Sequence, residues 1–336
     1  MSNLTEVQTD VKVSILVAAR NEESNIINCL NSLHQQIFPK GNLEVLIGDD
    51  GSTDATASLV KSFITDKPEF QYFYIESPIA NLKGKANVLA QLANNARGTI
   101  LLFCDADIVT QNHWCASMVD AFKGQIGIVT GVTRMKKGGG LRNFLSLEWI
   151  FALFMIRIAS YFNIPITAMG NNMGVSKNAY LEVGGYEKIR FSVVEDFALF
   201  MAVIQKGFGF TCLFQPSILS FTEPLMTFAS WKAQRIRWIQ GVRESDLKTR
   251  FLIFVLVCQF PGILWLSILL GGSWFYLLGF HYLLISGITL VAIVLLRQFD
   301  LIKAVLFFWL YLLIGSIYML WFYFFSKQVE WKGRKY

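Results

Sequence analysis

Along its first half the chain alternates two patterns of apolar residues: short unbroken runs, and runs with helical spacing. Residues 13–19 (VSILVAA), 43–48 (LEVLIG), 70–75 and 99–104 (TILLFC) are continuous, β-rich and only six or seven residues long. Strands buried on both faces read this way. Between them, residues 21–35, with Ile26, Ile27, Leu30 and Leu33, and residues 85–96 carry the spacing of helices. Ser52 and Thr53 are expected to cap a further helix ending near Ile64. A helix near 113–122 and one strand over 126–133 complete the series. Strands alternating with helices predict an α/β fold with a mostly parallel sheet covered on both faces. Beyond 133 the pattern loosens. Residues 141–160 look helical and very apolar but keep Arg142, Glu148 and Arg157. Their uncharged stretch is too short to cross a bilayer, so an interfacial helix is expected. Helices are also predicted at 195–205 and 227–242. Gly138, Gly139 and Gly140 read as a hinge before the 141–160 helix, and Gly170-Asn171-Asn172-Met173-Gly174 as a polar, turn-forming segment that either allows close backbone approach or is a plain loop.

A different pattern begins at 251. No Asp, Glu, Lys or Arg occurs from 251 to 296, and none from 304 to 326. About 20 apolar residues suffice for one span. Two to three membrane helices are therefore expected, at 251–271, 274–296 and 304–326, followed by a basic tail, 327–336. Three spans would leave that tail across the membrane from the front domain, against the positive-inside rule. A re-entrant segment around Pro261-Gly262 would leave two spans.

Composition sharpens this division. Apolar residues make up 54% and charged ones 16% of the 336, and 24 of the 30 Lys and Arg lie before 251. Disorder and a wholly soluble enzyme are excluded. The net charge of +6 leaves the front about +2, too little to mark a nucleic-acid binder. The five Cys show no paired spacing and the three His are scattered, which suits reduced thiols and no zinc site. Residues 1–12 are polar, unlike a signal peptide, so residues 1–250 are expected to be cytosolic.

Acidic residues stand where the buried strands end. Asp49 and Asp50 close the second, in Gly48-Asp49-Asp50-Gly51-Ser52-Thr53-Asp54; Asp105 and Asp107 close the fourth. Ligands of open α/β sheets bind outside the carboxyl ends of strands. In an extended segment Asp105 and Asp107 point to one side, and two such carboxylates suit a hard cation, Mg²⁺ or Mn²⁺, shared with substrate phosphates. On a helix, Gln234, Arg237 and Trp238 share one face. Trp231, Lys232 and Arg235 interleave with them, as on a helix at a membrane surface.

The segment VSILVAARNEE (13–23), the DDGSTD run, Lys83-Gly84-Lys85-Ala86-Asn87, Asp105-Ala106-Asp107, Val194-Glu195-Asp196 and Gln234-x-x-Arg237-Trp238 follow one another at fixed order. Over about residues 11–245 this resembles the inverting family 2 glycosyltransferases of the cellulose synthase, hyaluronan synthase and ceramide glucosyltransferase type. The resemblance implies a GT-A-type nucleotide-sugar-binding domain and a UDP-sugar donor. It places Ala19, Arg20 and Glu22 against the nucleotide and Asp50 on the uracil or ribose. Lys85 would approach sugar or phosphates, unless it is a solvated helix-start lysine. Asp105 would meet ribose or sugar, and Asp107, with Asp105, the metal. Asp196 would be the general base, with Gln234, Arg237 and Trp238 serving acceptor and leaving group. Capping of a helix by Glu195 and Asp196 is the plainer alternative for that pair.

Two or three spans are too few to form a polymer channel unaided, so the acceptor expected is a lipid, of polyisoprenoid or carotenoid type, reached at the cytosolic face of a bacterial inner membrane. The ending Trp331-Lys332-Gly333-Arg334-Lys335-Tyr336 is similar to tails of bacterial glucosyltransferases of that kind. A subunit of a membrane polysaccharide synthase is the alternative. A silent nucleotide-sugar sensor is the third reading, disfavoured because Asp107, Asp196 and Arg237 are all present. A Rossmann oxidoreductase is disfavoured because the first strand runs into Ala-Arg-Asn-Glu without G-x-G-x-x-G.

Overall fold

A computed structural model of the protein describes residues 12–189, 192, 194–225, 227–245, 247–272 and 274–326, and the backbone of 330–331 and 334–335. Most of the basic ending singled out above lies outside the described residues. The front half carries β1 (Val13–Ala19), α1 (Ile26–His34), β2 (Leu43–Asp49), α2 (Thr56–Ile64), β3 (Phe70–Tyr74), α3 (Gly84–Asn95), β4 (Ile100–Asp105) and α4 (Trp114–Val119). There follow β5 (Ile126–Thr130), β6 (Thr133–Met135), α5 (Leu141–Tyr161), β7 (Asn172–Ser176), α6 (Lys177–Glu182), α7 (Gly185–Lys188), α8 (Glu195–Gln205), β8 (Gly209–Cys212), β9 (Ser220–Thr222) and α9 (Phe228–Glu244).

Seven strands form one sheet in the order β3-β2-β1-β4-β7-β5-β8, in which only β7 runs antiparallel to its neighbours. Unbroken apolar strands arise because both faces are covered. Val13, Ile15 and Val17 face Ile26, Leu30 and Val60 of α1 and α2. Leu16 and Leu46 face Val88 and Leu92 of α3, with Leu199 and Val203 of α8 on the same side. A Cβ on Gly48 would stand 2.4 Å from Val88 Cγ1, so α3 lies directly on β2.

Three expectations are corrected. Ser52 and Thr53 do not cap α2, which starts at Thr56; their side chains bond Asn21 instead. The strand expected over 126–133 breaks at Gly131 into β5 and β6, and β6 pairs with β9 in a separate two-stranded sheet. At the break the chain passes close to Asn172, which glycine permits: a Cβ at Gly131 would lie 2.3 Å from Asn172 Oδ1. The polar loop at 170–174 is a loop only at its start, because Asn172–Ser176 form β7. Asn172 is fully buried, and its polarity is consumed internally. It accepts from Trp114 Nε1–H (2.8 Å) and donates to the Val132 and Ile218 carbonyls (2.9 and 3.0 Å). A buried amide needs such partners, and here they join the two sheets.

The end of the chain forms α10 (Leu247–Leu270), α11 (Trp274–Leu296), a 3₁₀ turn (Phe299–Leu301) and α12 (Ile302–Phe325). With α5, these are four helices long and apolar enough to cross a membrane. The helix α5 packs on β6 and β8 on one side and on α11 and α12 on the other. Helix packing is reinforced by one buried charge. Arg134 of β6, 0% exposed, donates to both Asp300 oxygens (3.0 and 2.9 Å) and to Gln298 Oε1 (2.6 Å). Arg134 holds the Asp300 carboxyl below its ordinary range. Asp300→Ala strands a buried guanidinium and is expected to destabilise the protein by about 2–3 kcal/mol. The side chain of Asp300 is a third exposed, so the loss falls below that of a fully buried pair. Thermal unfolding in detergent checks this; an unchanged Tm would show that the pair contributes nothing net.

Candidate active site

The carboxyl ends of β1, β2 and β4 open into a cleft of about 680 Å³, closed on the far side by α5, α9 and the start of α8. Ala19, Arg20, Glu22, Asp50, Lys85, Asp105, Asp107, Asp196, Gln234, Arg237 and Trp238 all line it. Residues spread over some 220 positions in sequence thus come to one cavity.

Its floor is rigid because two loops are stitched together. Asn21 takes a positive φ of 53°. Its N–H donates to Ser52 Oγ (3.0 Å) and its Oδ1 accepts from the Thr53 N–H (2.8 Å). The Glu22 N–H donates to Thr56 Oγ1 (2.8 Å), and Glu23 Oε2 accepts from the Ala55 N–H (2.9 Å). The run Asp-Asp-Gly-Ser-Thr-Asp therefore serves as the docking edge for Arg-Asn-Glu-Glu. Arg20 meets Asp50 across this seam at 3.4 Å. Asp49 is buried beneath, accepting from Tyr72 Oη–H and the Ser52 N–H, both at 2.8 Å.

Deeper in, Lys85 at the start of α3 lies 2.5 Å from Asp105 and 3.2 Å from Glu195. Burial by itself lowers the ammonium's proton affinity, but Asp105, Glu195 and Asp196 outweigh it, and the pKa is raised. Lys85 is a half-buried charge held among carboxylates, not a solvated helix-start lysine. Burial would likewise raise Glu195; Lys85 and Arg237 prevail and hold it below the ordinary range. Its neighbour behaves oppositely. Burial and the adjacent Glu195 charge raise Asp196, and Lys85, Arg237 and the Gly170 N–H only partly offset them. Two adjacent carboxyls pushed apart in acidity are a common arrangement for dividing the duties of counter-ion and proton acceptor. Asp196 Oδ2 accepts from the Gly170 N–H (2.6 Å) and Oδ1 from the Phe197 N–H (2.8 Å). A Cβ on Gly170 would sit 2.5 Å from that Oδ2, so glycine there lets backbone and carboxylate meet.

On α9, Gln234 is buried with its Oε1 accepting from Arg235 Nη1 (2.6 Å). The interleaved residues do not form an outward-facing surface as expected. Arg235 is 1% exposed and pairs with Glu148 of α5 at 2.5 Å. Its guanidinium lies 4.4 Å from the Trp238 ring and 5.0 Å from Trp231, and only Lys232 of the three is exposed. Sequence reading overlooked the pairing of Glu148 with Arg235. A charge recurring inside the apolar 141–160 helix was the one available signal.

Asp107 Oδ2 accepts from Thr222 Oγ1–H of β9 (2.7 Å), which fixes the carboxylate at the cleft wall. Among the described residues no three of His, Cys, Asp and Glu gather as a metal cage. Asp105 and Asp107 offer hard oxygen donors in the number that Mg²⁺ or Mn²⁺ uses when phosphates complete its shell. The donor set thus fits a cation shared with a bound diphosphate.

Comparison with known proteins follows the same outline. Residues 14–184 match the family described as Glycosyl transferase family 2, and residues 100–325 match Glycosyl transferase family group 2. A probable glycosyltransferase, YdaM, of Bacillus subtilis (strain 168) is 27% identical over 243 residues, 70% of this chain and 56% of that protein. The poly-beta-1,6-N-acetyl-D-glucosamine synthase of Staphylococcus epidermidis is 26% identical over 270 residues, 77% of this chain and 63% of the relative. The chain therefore spans about three fifths of the length of these relatives. Among solved structures, the mannosyltransferase PcManGT from Pyrobaculum calidifontis, in complex with GDP-Man and Mn2+, superposes with a TM-score of 0.58. It is 17% identical, with 94% of this chain and 88% of that one covered. At that identity the likeness establishes the fold, a GT-A-like domain followed by apolar helices.

Proposed function

We propose a specific transfer reaction at this cleft, and proceed from kinship: the chain belongs to glycosyl transferase family 2 and is a glycosyltransferase. The reaction is inverting transfer of a sugar from a UDP-sugar to a hydroxyl of a membrane lipid, on the cytosolic face. One observation carries the reading. A single cleft joins strand-end carboxylates at one side to an apolar wall of Leu153, Ile156, Val242 and Ile253 at the other. A charged donor and a greasy acceptor each have a matching surface.

In this reading Arg20, Glu22 and Asp50 hold the nucleotide, against the backbone of Ala19. Asp105 and Asp107 would hold Mg²⁺ or Mn²⁺, which supplies charge neutralisation to the diphosphate. Asp196 accepts the proton of the acceptor hydroxyl. The hydroxyl oxygen bonds to the anomeric carbon from the face opposite the diphosphate, the carbon–diphosphate bond breaks, and UDP leaves with the electron pair. Raised proton affinity suits Asp196 to that step. Glu195 stays ionised and holds Lys85, while Arg237 faces the same charges. Gln234 and Trp238 position the acceptor.

Kinship with a synthase of poly-beta-1,6-N-acetyl-D-glucosamine favours a second reading, polymer synthesis with a partner. One assay separates them. Membranes bearing the protein are given a panel of UDP-sugars and extracted lipids, and UDP release and labelled product are followed. Labelled lipid is expected; labelled polymer would favour the second reading. Silence with every UDP-sugar would sink the donor assignment.

A further inference from the structure

The helix α12 is 24 residues long, so its axis extends about 36 Å, more than the roughly 30 Å of a hydrocarbon core. Length alone would make it a span. Its attachments say otherwise. At its start, Asp300 is bound by Arg134 of β6 and Leu301 packs with Val132 in the apolar core beside it. At its end, Arg243 of α9 donates to the carbonyls of Ser326 (2.9 Å) and Tyr323. That end of α9 belongs to the cleft: Gly241, Val242 and Ser245 line it, and Glu244 accepts from Ser192 Oγ–H (2.5 Å). Between the ends, Phe308 and Tyr311 pack on Phe151 and Phe144 of α5, and Tyr311 donates to Glu148 (2.6 Å). Both ends and the middle thus rest on one globular domain.

Exposure along α12 repeats the point. Val305, Phe308, Trp309, Leu313, Ser316 and Phe322 are buried against the protein. On the other face Ile302, Leu306, Leu310, Ile314, Ile317, Trp321 and Phe324 are exposed from end to end, with a helical period. A helix crossing a bilayer beside a globular domain would touch that domain near one end only. Basic side chains flank both ends, the exposed Arg297 and Lys303 at the start and Lys232, 5.9 Å from the Phe322 ring, at the finish. Such pairs suit anionic head groups on a single surface.

We propose that α12 does not cross the membrane but lies in its plane, its outer face submerged in the leaflet nearest the catalytic cleft. The occupant of that face is lipid. Exposed apolar residues of α10 and α11, among them Trp265, Tyr276 and Leu283, extend the same lipid-facing surface. The cleft, which Ile253 of α10 also lines, then opens at the head-group level without any need for α12 to reach the other side.

Depth quenching tests it. Single cysteines, Ile302→Cys, Ile314→Cys and Phe324→Cys, are placed in the full chain with the five native cysteines replaced. Each is labelled with a nitrobenzoxadiazole dye and reconstituted in phosphatidylcholine–phosphatidylglycerol vesicles carrying bromine at defined acyl depths. All three labels are expected at one shallow depth, within about a quarter of the span that a crossing helix of this length would separate. Ile314→Cys at the bilayer centre, with the other two in opposite head-group layers, would overturn the proposal. No quenching at any position would mean a second copy covers the face, and would overturn it too. Dithionite added outside is a second readout: the two end labels should be bleached to the same extent, whereas protection of one end alone means α12 crosses.

Discussion

Asp196→Asn is expected to lower kcat about 10³- to 10⁴-fold, near the top of what a positioned general base contributes. Asparagine keeps the shape and its one oxygen can still accept from the Gly170 N–H that now bonds Oδ2 at 2.6 Å, giving up the Phe197 N–H bond to Oδ1, but it cannot take a proton. Donor binding should stay within a few-fold, because the nucleotide side of the cleft is built from β1, β2 and β4. The wild-type pH profile carries a second signature. Burial and Glu195 raise the Asp196 pKa, so the base form is lost as pH falls through a value above the ordinary Asp range of about 3.9. The acid limb of kcat should therefore lie higher than for a solvated Asp. A raised carboxyl pKa also means that ionised Asp196 costs the folded state stability above that pKa. In the Asn variant relief of that charge offsets the lost Phe197 N–H bond, so its Tm should stay close to that of wild type. Activity retained in Asp196→Asn would remove the general-base assignment; a lower Tm with lost activity would point to a structural role.

Asp107→Asn, or removal of divalent metal by chelation, is expected to cost about 10²- to 10³-fold in UDP release, as charge neutralisation of a leaving diphosphate is worth several kcal/mol. The substitution halves a two-carboxylate donor set. It also converts the acceptor for Thr222 Oγ1–H, now at 2.7 Å, from a charged to a neutral oxygen. Mn²⁺ binding in the presence of UDP, followed by electron paramagnetic resonance, separates the metal from the chemistry. Wild type should bind the ion with UDP and the variant at least ten-fold more weakly. Turnover indifferent to chelator would eliminate the metal from this proposal, and the two carboxylates would then need another partner, for which Lys85 already stands 2.5 Å from Asp105.

Much of this site was legible one residue at a time. The buried strands, ending in Asp49 and Asp105, were visible as apolar runs, because a strand covered on both faces has no polar positions to spend. Eleven site residues chosen on strand ends, helical spacing and motif order all line one cleft. What escaped was non-local. The polar Gly-Asn-Asn-Met-Gly segment looks like a loop, yet from Asn172 it is an interior strand whose amide is satisfied by Trp114, Val132 and Ile218. Propensity cannot show partners forty or more residues away. Arg235 looked like surface for the same reason: a guanidinium is read as exposed unless its pairing with Glu148 and its two Trp faces are known.

From the order of residues alone came an α/β domain with strand-end carboxylates, then a charge-free end, since periodicity and composition are properties of neighbours in sequence. Only the tertiary structure decided how the two meet. It pushed Glu195 and Asp196 to opposite acidities, because burial and the position of Lys85 depend on α3 and α8 converging. It also pinned both ends of α12 to one domain through Arg134 and Arg243. Hydropathy measures whether a helix tolerates lipid. Which way that helix lies is set by the contacts along its length.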